Sequence, residues 1–494
     1  MTDKVRVRFA PSPTGFLHIG GVRTALYNEL LARQMQGDFV LRIEDTDRAR
    51  FVEGGIENIC RSLKTMGVVP NEGVWLDEKG QMFERGEYGP YLQSERKDRH
   101  TAYAIRLMDM DKAYYCFCDE KRLAELRESQ QLAHQPTMYD GKCRSLTRVE
   151  AEKRIADGEQ YVIRLKLPKQ GNVTAKDVIH GDISFDWALI DDQVLIKSDG
   201  YPTYHLANTC DDHDMAITHV IRGDEWIASL PKHLFIYEAF GWTPPKFAHL
   251  PLLLNPDRSK LSKRQGDVAV EDYLKKGYLP EAILNFIALL GWNPTGDREI
   301  YTHDELIKMF DLAKVNKSGA VFNLEKLDWL NEHYLRAMKD EDYLALVHPF
   351  IQDKTDDHQF ADRVLLLIRD RVTLPSQIPD LTASLFKEDL DYSKVSLTWK
   401  TQTKEEALSR LNGVRELLMG VGEEEFIRPG ARTEHEKKIK DFITAQGWGN
   451  GDTLWPLRVA LSGEEKSPSP WELLEVLGKN RSLHRIEAAI HHLS

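Results

Sequence analysis

His18 is followed by Ile19-Gly20-Gly21 at a point where the pattern passes from strand to helix. Ligands of parallel sheets bind beyond the carboxyl ends of strands, and a helix start offers orphan amides and the positive end of a dipole to an anion. Gly20 and Gly21 permit close approach to the backbone, and an imidazole can donate to a phosphate oxygen as charge develops on it. A lysine-bearing phosphate loop would need Gly-Lys-Ser/Thr, but Gly20 is followed by Gly21-Val22; the Gly-x-Gly-x-x-Gly loop is also absent. Two readings fit: a phosphate cradle, or a tight strand–helix turn around a satisfied His.

Lys260-Leu261-Ser262-Lys263-Arg264 places three cations within five residues, after an apolar run at 251–254 and a turn at 255–258. Such a loop suits a clamp on polyphosphate, although a short basic run alone also reads as a solvated face. Arg8 and Arg222 stand on or just after predicted strands, so both can point from strand ends into a crevice. An arginine fork separates a carboxylate from an amide; the competing reading pairs Arg222 with Glu44 structurally. Cys116, Cys118 and Cys143 supply three of the four ligands of a structural zinc, or are simply buried apolar thiols. Asp211-Asp212-His213-Asp214 is not a cation site, because neighbouring side chains on one element diverge. His435-Glu436 begins like a zinc-protease helix, but Ile439 stands where the second His is required.

Val5, Val7 and Phe9 alternate with Arg6 and Arg8, which predicts a strand, and the prolines of Pro11-Ser12-Pro13-Thr14-Gly15 impose a loop. Val22, Leu26 and Leu30 space a helix that Gly37 is placed to end. The next strand covers 39–43, and Ile56, Ile59, Leu63 and Met66 share a helix face. Strand–helix alternation blurs between about 114 and 176, which reads as an insertion. It resumes with runs at 193–197, 216–221 and 247–254 and a helix at 230–240. Helices dominate beyond about 279, and Ser469-Pro470-Trp471-Glu472 is a capping box whose helix Gly478 is expected to close.

The chain's 494 residues allow three or four domains. Hydrophobic residues at 41% suffice for cores and argue against disorder. No run reaches the ~18 apolar residues of a membrane span, the first residues carry no apolar signal core, and five cysteines are too few for a disulfide framework. A cytoplasmic location is therefore expected. Lys and Arg number 66 against 78 Asp and Glu, a net charge of −12, which excludes a basic nucleic-acid coat but not a local basic face.

The loops at His18 and Lys260 together resemble the HIGH and KMSKS motifs of class I aminoacyl-tRNA synthetases. Arg8-Phe9-Ala10-Pro11-Ser12-Pro13-Thr14-Gly15, Arg42-Ile43-Glu44-Asp45-Thr46-Asp47, the run from Lys197 through Tyr204 to Asn208, and Arg222-Gly223-Asp224-Glu225-Trp226 are similar to the bacterial-type glutamyl-tRNA synthetase family. Gly21 replaces the second His of HIGH and Arg264 the last Ser of KMSKS, as is usual or frequent in the glutamate branch. The resemblance implies an α/β Rossmann-like catalytic domain (1–110 and 191–265) split by an α+β insertion (111–190) that binds the tRNA acceptor end. A stem-contact helical domain (266–330) and an all-α anticodon-binding half (331–494) would follow.

It implies ATP-dependent ligation of L-glutamate to tRNA(Glu) through glutamyl-adenylate, with Mg²⁺, by a monomer. His18, Lys260 and Lys263 would be catalytic, with Gly20, Gly21, Ser262 and Arg264 also at the ATP. Arg222 with Tyr204 would hold the side-chain carboxylate and Glu44 the ammonium, with Arg8, Ser12 and Asn208 as further glutamate contacts. Tyr139 would complete a zinc site, since Ser145 stands where some relatives carry His. For tRNA, residues 96–99 (Arg96-Lys97-Asp98-Arg99) and 479–485 (Lys479 to Arg485) are candidate backbone contacts, while Trp448, Trp455 and Trp471 read first as core. A small-molecule nucleotidylyltransferase shares a His-containing loop of this type, and a non-catalytic tRNA-binding paralogue is the other alternative; the helical half and the intact His18 and lysines speak against them.

Overall fold

The computed structural model describes residues 4–261 and 269–494. The chain divides into two compact units, Met1–Lys275 with Leu279–Leu327, and Lys276–Tyr278 with Asp328–Ser494. The first unit opens with β1 (Arg6–Phe9), α1 (Ile19–Gln34) and β2 (Asp38–Leu41), followed by α2 (Gly55–Thr65), β3 (Glu72–Leu76), β4 (Met82–Arg85) and α3 (Lys97–Asp109). Then come β5 (Ala113–Cys116), α4 (Glu120–Leu132), α5 (Arg148–Ala156), β6 (Val162–Leu165), β7 (Asn172–Asp177), β8 (Gly181–Asp186) and β9 (Val194–Ile196). The main sheet is completed through α6 (Tyr204–Asp214), β10 (His219–Gly223), α7 (Leu230–Phe240) and β11 (Lys246–Leu250).

Eight strands form one sheet in the order β4-β3-β2-β1-β10-β11-β7-β8. The six inner strands pair in parallel, and β4 and β8 are antiparallel edges. The order reverses between β1 and β10, the switch point where open α/β sheets leave a crevice. Both faces are covered, so Val7, Phe39, Val40, Leu41, Val220 and Ile221 are buried. The alternation that identifies β1 therefore does not mark a wet face. Arg6 and Arg8 are buried too, on Asp38 and Glu72 and on Asp212 respectively.

Three expected placements change. Within the stretch expected to form the insertion, the β7–β8 hairpin extends the main sheet. Asp177 pairs with Phe247 of β11, and its carboxylate accepts the amides of Ile179, His180 and His249. The 193–197 run instead joins β5 and β6 in a separate three-stranded antiparallel sheet, where Leu195 and Ile196 pack with Ile163, Leu165 and Trp187. Finally, α1 ends at Gln34, and Gln36 takes the left-handed φ of 50°. Gly37 is needed for another reason: a Cβ there would run into the Val5 carbonyl.

The short pair β12 (Leu253–Leu254) and β13 (Ala320–Val321), with α8 (Val270–Lys276), α9 (Pro280–Ala288), α10 (His303–Met309) and α11 (Leu324–Ala337), leads onward. Among the described residues, the second unit has helices and no strand. Its helices are α12 (Asp340–Val347), α13 (His358–Ile368), α14 (Ile378–Thr382), α15 (Lys404–Met419), α16 (Glu423–Ile427), α17 (Ala431–Ala445), α18 (Asn450–Ser462) and α19 (Pro470–Leu493). Ser469 and Glu472 form the expected capping box of α19. Gly478 (φ 72°, ψ 177°) kinks that helix rather than ending it, and Leu473, Leu474, Leu477, Ile486 and Ala489 are buried along it.

Candidate active site

A cavity of about 910 Å³ opens at the switch point, at the upper end of the range for small-molecule sites. Arg8, Ser12, His18, Gly20, Gly21, Glu44, Tyr204, Asn208, Arg222 and Lys260 all line it. The imidazole near the start of the chain and the described end of the cationic turn thus share one space. Ser262, Lys263 and Arg264 lie outside the described residues.

Arg222, at the end of β10, is 4% exposed. Its Nε donates to His249 Nε2 (3.0 Å), and Nη1 to Tyr204 Oη (2.9 Å) and His233 Nδ1 (3.1 Å). Among the described residues Nη2 has only the Trp226 carbonyl, at 3.4 Å. Among the described residues no carboxylate pairs with Arg222, so the expected alternative of an Arg222–Glu44 ion pair is not what forms. A buried cation lacking an anion is costly. Its remaining Nη2 hydrogen, and the Tyr204 hydroxyl hydrogen left over once that oxygen accepts from Nη1, are two donors suited to a carboxylate. The Trp226 ring closes one side, with its centroid 3.9 Å from that of Tyr204.

Glu44 and Arg8 are tied to a carboxylate from α6. Asp212 accepts from Arg8 Nε (3.0 Å) and Nη2 (3.3 Å) and from Arg42 Nη1 (2.8 Å). Arg42 Nη2 then reaches Glu44 Oε1 (3.0 Å), which also accepts from Asn208 (3.1 Å). Burial pushes the Glu44 carboxyl up, opposed by Arg42, Asn208 and Arg8. Among the described residues Glu44 Oε2 takes no hydrogen bond, leaving an acceptor for an ammonium. Adjacent Asp211 faces the other way, onto Arg96 (2.6 Å) and His100 (2.8 Å), so the two carboxylates diverge as helical geometry requires.

His18 is the N-cap of α1: its Nδ1 accepts from the Gly21 amide at 3.1 Å. That bond places the ring proton on Nε2, which makes the other edge a donor. It also consumes the Gly21 amide, so the helix start offers an anion fewer amides than the sequence suggests. A Cβ on Gly21 would approach Leu17 Cδ1 to 2.8 Å, and one on Gly20 would approach His18 Nδ1 to 3.1 Å. Lys260 bridges to Leu254, and Ala269 to His18, so the chain on either side of 262–268 is pinned beside this loop.

In the insertion the Sγ atoms of Cys116, Cys118 and Cys143 lie within 4.8 Å of one another, Cys118 and Cys143 at 3.6 Å. A tetrahedral zinc–thiolate site has S···S edges of about 3.8 Å. The Tyr139 hydroxyl is 3.4 Å from Cys116 Sγ and 3.5 Å from Cys118 Sγ. Hydrogen bonding from Cys143, against opposing burial and helped by Tyr139, draws the Cys116 thiol well below its ordinary value. The donor set and its spacing fit zinc.

Two candidate tRNA contacts are corrected. Arg96 is buried on Asp211 and Asp214, and Arg485 is buried with its guanidinium on the carbonyls of Leu461, Ser384, Leu385 and Lys387. Neither can reach a phosphate. Trp448 and Trp455 pack on Phe442 and Trp399. Sequence reasoning missed Asp212, His233 and His249 as supports of the site. Periodicity carries no signal for them, since each meets its partner from a different element of the fold.

A switch-point cavity lined by an arginine that no described carboxylate pairs, by an imidazole and by Lys260 is suited to bringing a carboxylate against a triphosphate. The family model for tRNA synthetases class I (E and Q), catalytic domain, matches residues 4–329, and that for the anticodon binding domain matches 342–490. Glutamate–tRNA ligase of Clostridioides difficile is 43% identical over 98% of both chains, and that of Finegoldia magna 44% identical over 99% of this chain and all of its own. A crystal structure of a glutamate tRNA ligase from Elizabethkingia meningosepticum, in complex with its amino acid, superimposes with a TM-score of 0.88 at 38% identity over the whole of both chains. This chain belongs to the class I tRNA synthetases of the glutamate and glutamine (E and Q) family.

Proposed function

We propose that the chain ligates L-glutamate to tRNA(Glu) through glutamyl-adenylate, releasing AMP and pyrophosphate. The observation that carries this is Arg222, buried at the cavity with no carboxylate partner among the described residues and with Tyr204 beside it. The side-chain carboxylate of glutamate supplies the missing anion, and an uncharged amide would leave the arginine unpaired. Glu44 receives the ammonium on Oε2, with Asn208 and Arg42 holding Oε1. Arg8 and Ser12 line the same space and serve the rest of the amino acid.

The α-carboxylate attacks the α-phosphorus of ATP, the bond to pyrophosphate breaks, and the terminal ribose hydroxyl of tRNA then displaces AMP. Neither step needs a protein nucleophile; positioning and charge stabilisation suffice. His18 donates to phosphate, Gly20 and Gly21 let the nucleotide close on the helix start, and Lys260 and Lys263, with Ser262 and Arg264, meet the charge developing on pyrophosphate. Mg²⁺ enters with ATP, and no side chain is assigned to it. Cys116, Cys118, Cys143 and Tyr139 would hold zinc, whose chemistry there is structural.

A nucleotidylyltransferase reading is not favoured, because the relatives match along their whole length, helical half included. Pyrophosphate exchange with glutamate, run with and without tRNA(Glu), tests the proposal. Exchange dependent on both glutamate and tRNA is expected; exchange indifferent to glutamate overturns it.

A further inference from the structure

Arg222 is surrounded by imidazoles. His249 and His233 are both buried, and each turns one ring nitrogen toward the guanidinium, at 3.0 and 3.1 Å. A guanidinium has hydrogens to give and no lone pair to offer. Both nitrogens must therefore be unprotonated, and both rings neutral. Each ring's other nitrogen is also engaged. His249 Nδ1 donates to Asp177 Oδ2 at 2.7 Å, and that carboxylate group is held by the amides of Ile179, His180 and His249. His233 Nε2 faces His205 Nδ1 at 3.3 Å. Burial and the Arg222 charge both press the His233 imidazole well below its ordinary value, and burial outweighs Asp177 in lowering His249.

We infer that His249 and His233 are positioning residues for glutamate: as neutral acceptors they fix the Arg222 fork while leaving its charge uncompensated for the side-chain carboxylate. Carboxylates in their place would orient the arginine equally well but would neutralise it, and a second carboxylate would then gain little. Asp177 lies one imidazole behind; it sets the His249 tautomer without touching the guanidinium. A carboxylate specificity pocket is thus built from an arginine and two histidines. The inference rests on the reading of Arg222 as the ligand of that carboxylate.

The test is aminoacylation by the full chain, with KM measured separately for glutamate, ATP and tRNA. His249→Phe and His233→Leu are expected to raise the glutamate KM about ten- to a hundredfold and to leave the KM for ATP and tRNA within about twofold. His249→Gln and His233→Asn keep an acceptor near the nitrogen that faces Arg222, so they should recover much of the loss and remain measurable if the larger changes prevent folding. Because the histidines act through Arg222, Arg222→Lys combined with His249→Gln should be no worse for glutamate than Arg222→Lys alone. Additive losses, equal losses for all three substrates, or an unchanged glutamate KM in folded His249 and His233 variants with Arg222→Lys impaired would overturn the inference alone. An unchanged glutamate KM in Arg222→Lys overturns the assignment of Arg222, and this inference with it.

Discussion

The Arg8 guanidinium rests on both oxygens of Asp212, at 3.0 and 3.3 Å, although the two residues are 204 positions apart. This pair clamps β1 to α6 across the switch point. Through Arg42, the same carboxylate also fixes Glu44. Arg8 is thereby committed at Nε and Nη2, with Nη1 at 3.4 Å from the Ile221 carbonyl. In the proposed glutamate site Arg8 would therefore act as an anchored fork, not a mobile one.

Asp212→Asn removes an anion shared by two buried arginines. Breaking such a pair from one side leaves buried charge behind, and a loss of about 3–5 kcal/mol is expected on urea unfolding. The glutamate KM should rise as well, since both Arg8 and Glu44 lose their reference point. A variant with wild-type stability and KM would show that the arginines find other compensation.

Lys263→Ala should depress pyrophosphate exchange about 10²–10³-fold, the usual effect of removing a group that stabilises transition-state charge, with glutamate KM changed less than about threefold. Lys260→Ala should act in the same direction. Equal losses in exchange and in glutamate affinity would count against a role confined to the phosphates.

Much of this arrangement was legible in the sequence, and the unreadable parts share a cause. The alternation of Val5, Val7 and Phe9 with Arg6 and Arg8 identifies β1, and the glycines and His18 mark the loop after it. The covalent order even shows that Asp211 and Asp212 diverge. What each meets is set by pairing across the sheet: Asp212 by Arg8 of β1 and Arg42 just past β2, His249 by a carboxylate from β7. The β7–β8 hairpin looked like insertion because its strands, Asn-Val-Thr-Ala-Lys-Asp and Gly-Asp-Ile-Ser-Phe-Asp, are half exposed and carry no apolar run. Arg96 and Arg485 looked like phosphate contacts because a buried arginine and an exposed one are spelled alike.

Asp211 makes part of the stability depend on pH. Burial raises its carboxyl, but His100, Arg42 and Arg96 more than reverse this and bring it to about 2. The folded value lies below the unfolded one of about 3.9, so its stabilisation is complete above about pH 4 and is lost as pH falls through about 2. A shift of this size is worth about 2–3 kcal/mol. Asp211→Asn should therefore be less stable than wild type at pH 7, with a gap that narrows as pH drops from about 4 toward 2. Urea midpoints at intervals between pH 6 and pH 2.5 check this; a gap constant over that range would contradict it.

The insertion should depend on its metal. Helix α4 buries none of its residues, and the core beside it consists of Tyr114, Cys116, Tyr139 and Cys143. So small an apolar cluster cannot offset the chain entropy of ordering residues 117–146, whereas a structural zinc contributes folding free energy directly. Three thiolates and a phenolate around Zn²⁺ leave a net charge of −2. Arg122, which donates to Cys118 Sγ at 3.5 Å, and Arg164, 4.2 Å over the Tyr139 ring, are placed to offset it. Protein purified without a histidine tag is expected to carry about one zinc per chain. Removal by a chelator should expose 117–146 to protease while the switch-point sheet stays protected, and Cys143→Ser should lose zinc and show the same cleavage. A metal-free preparation whose insertion resists protease as well as the zinc-loaded form would leave these cysteines as buried apolar residues only.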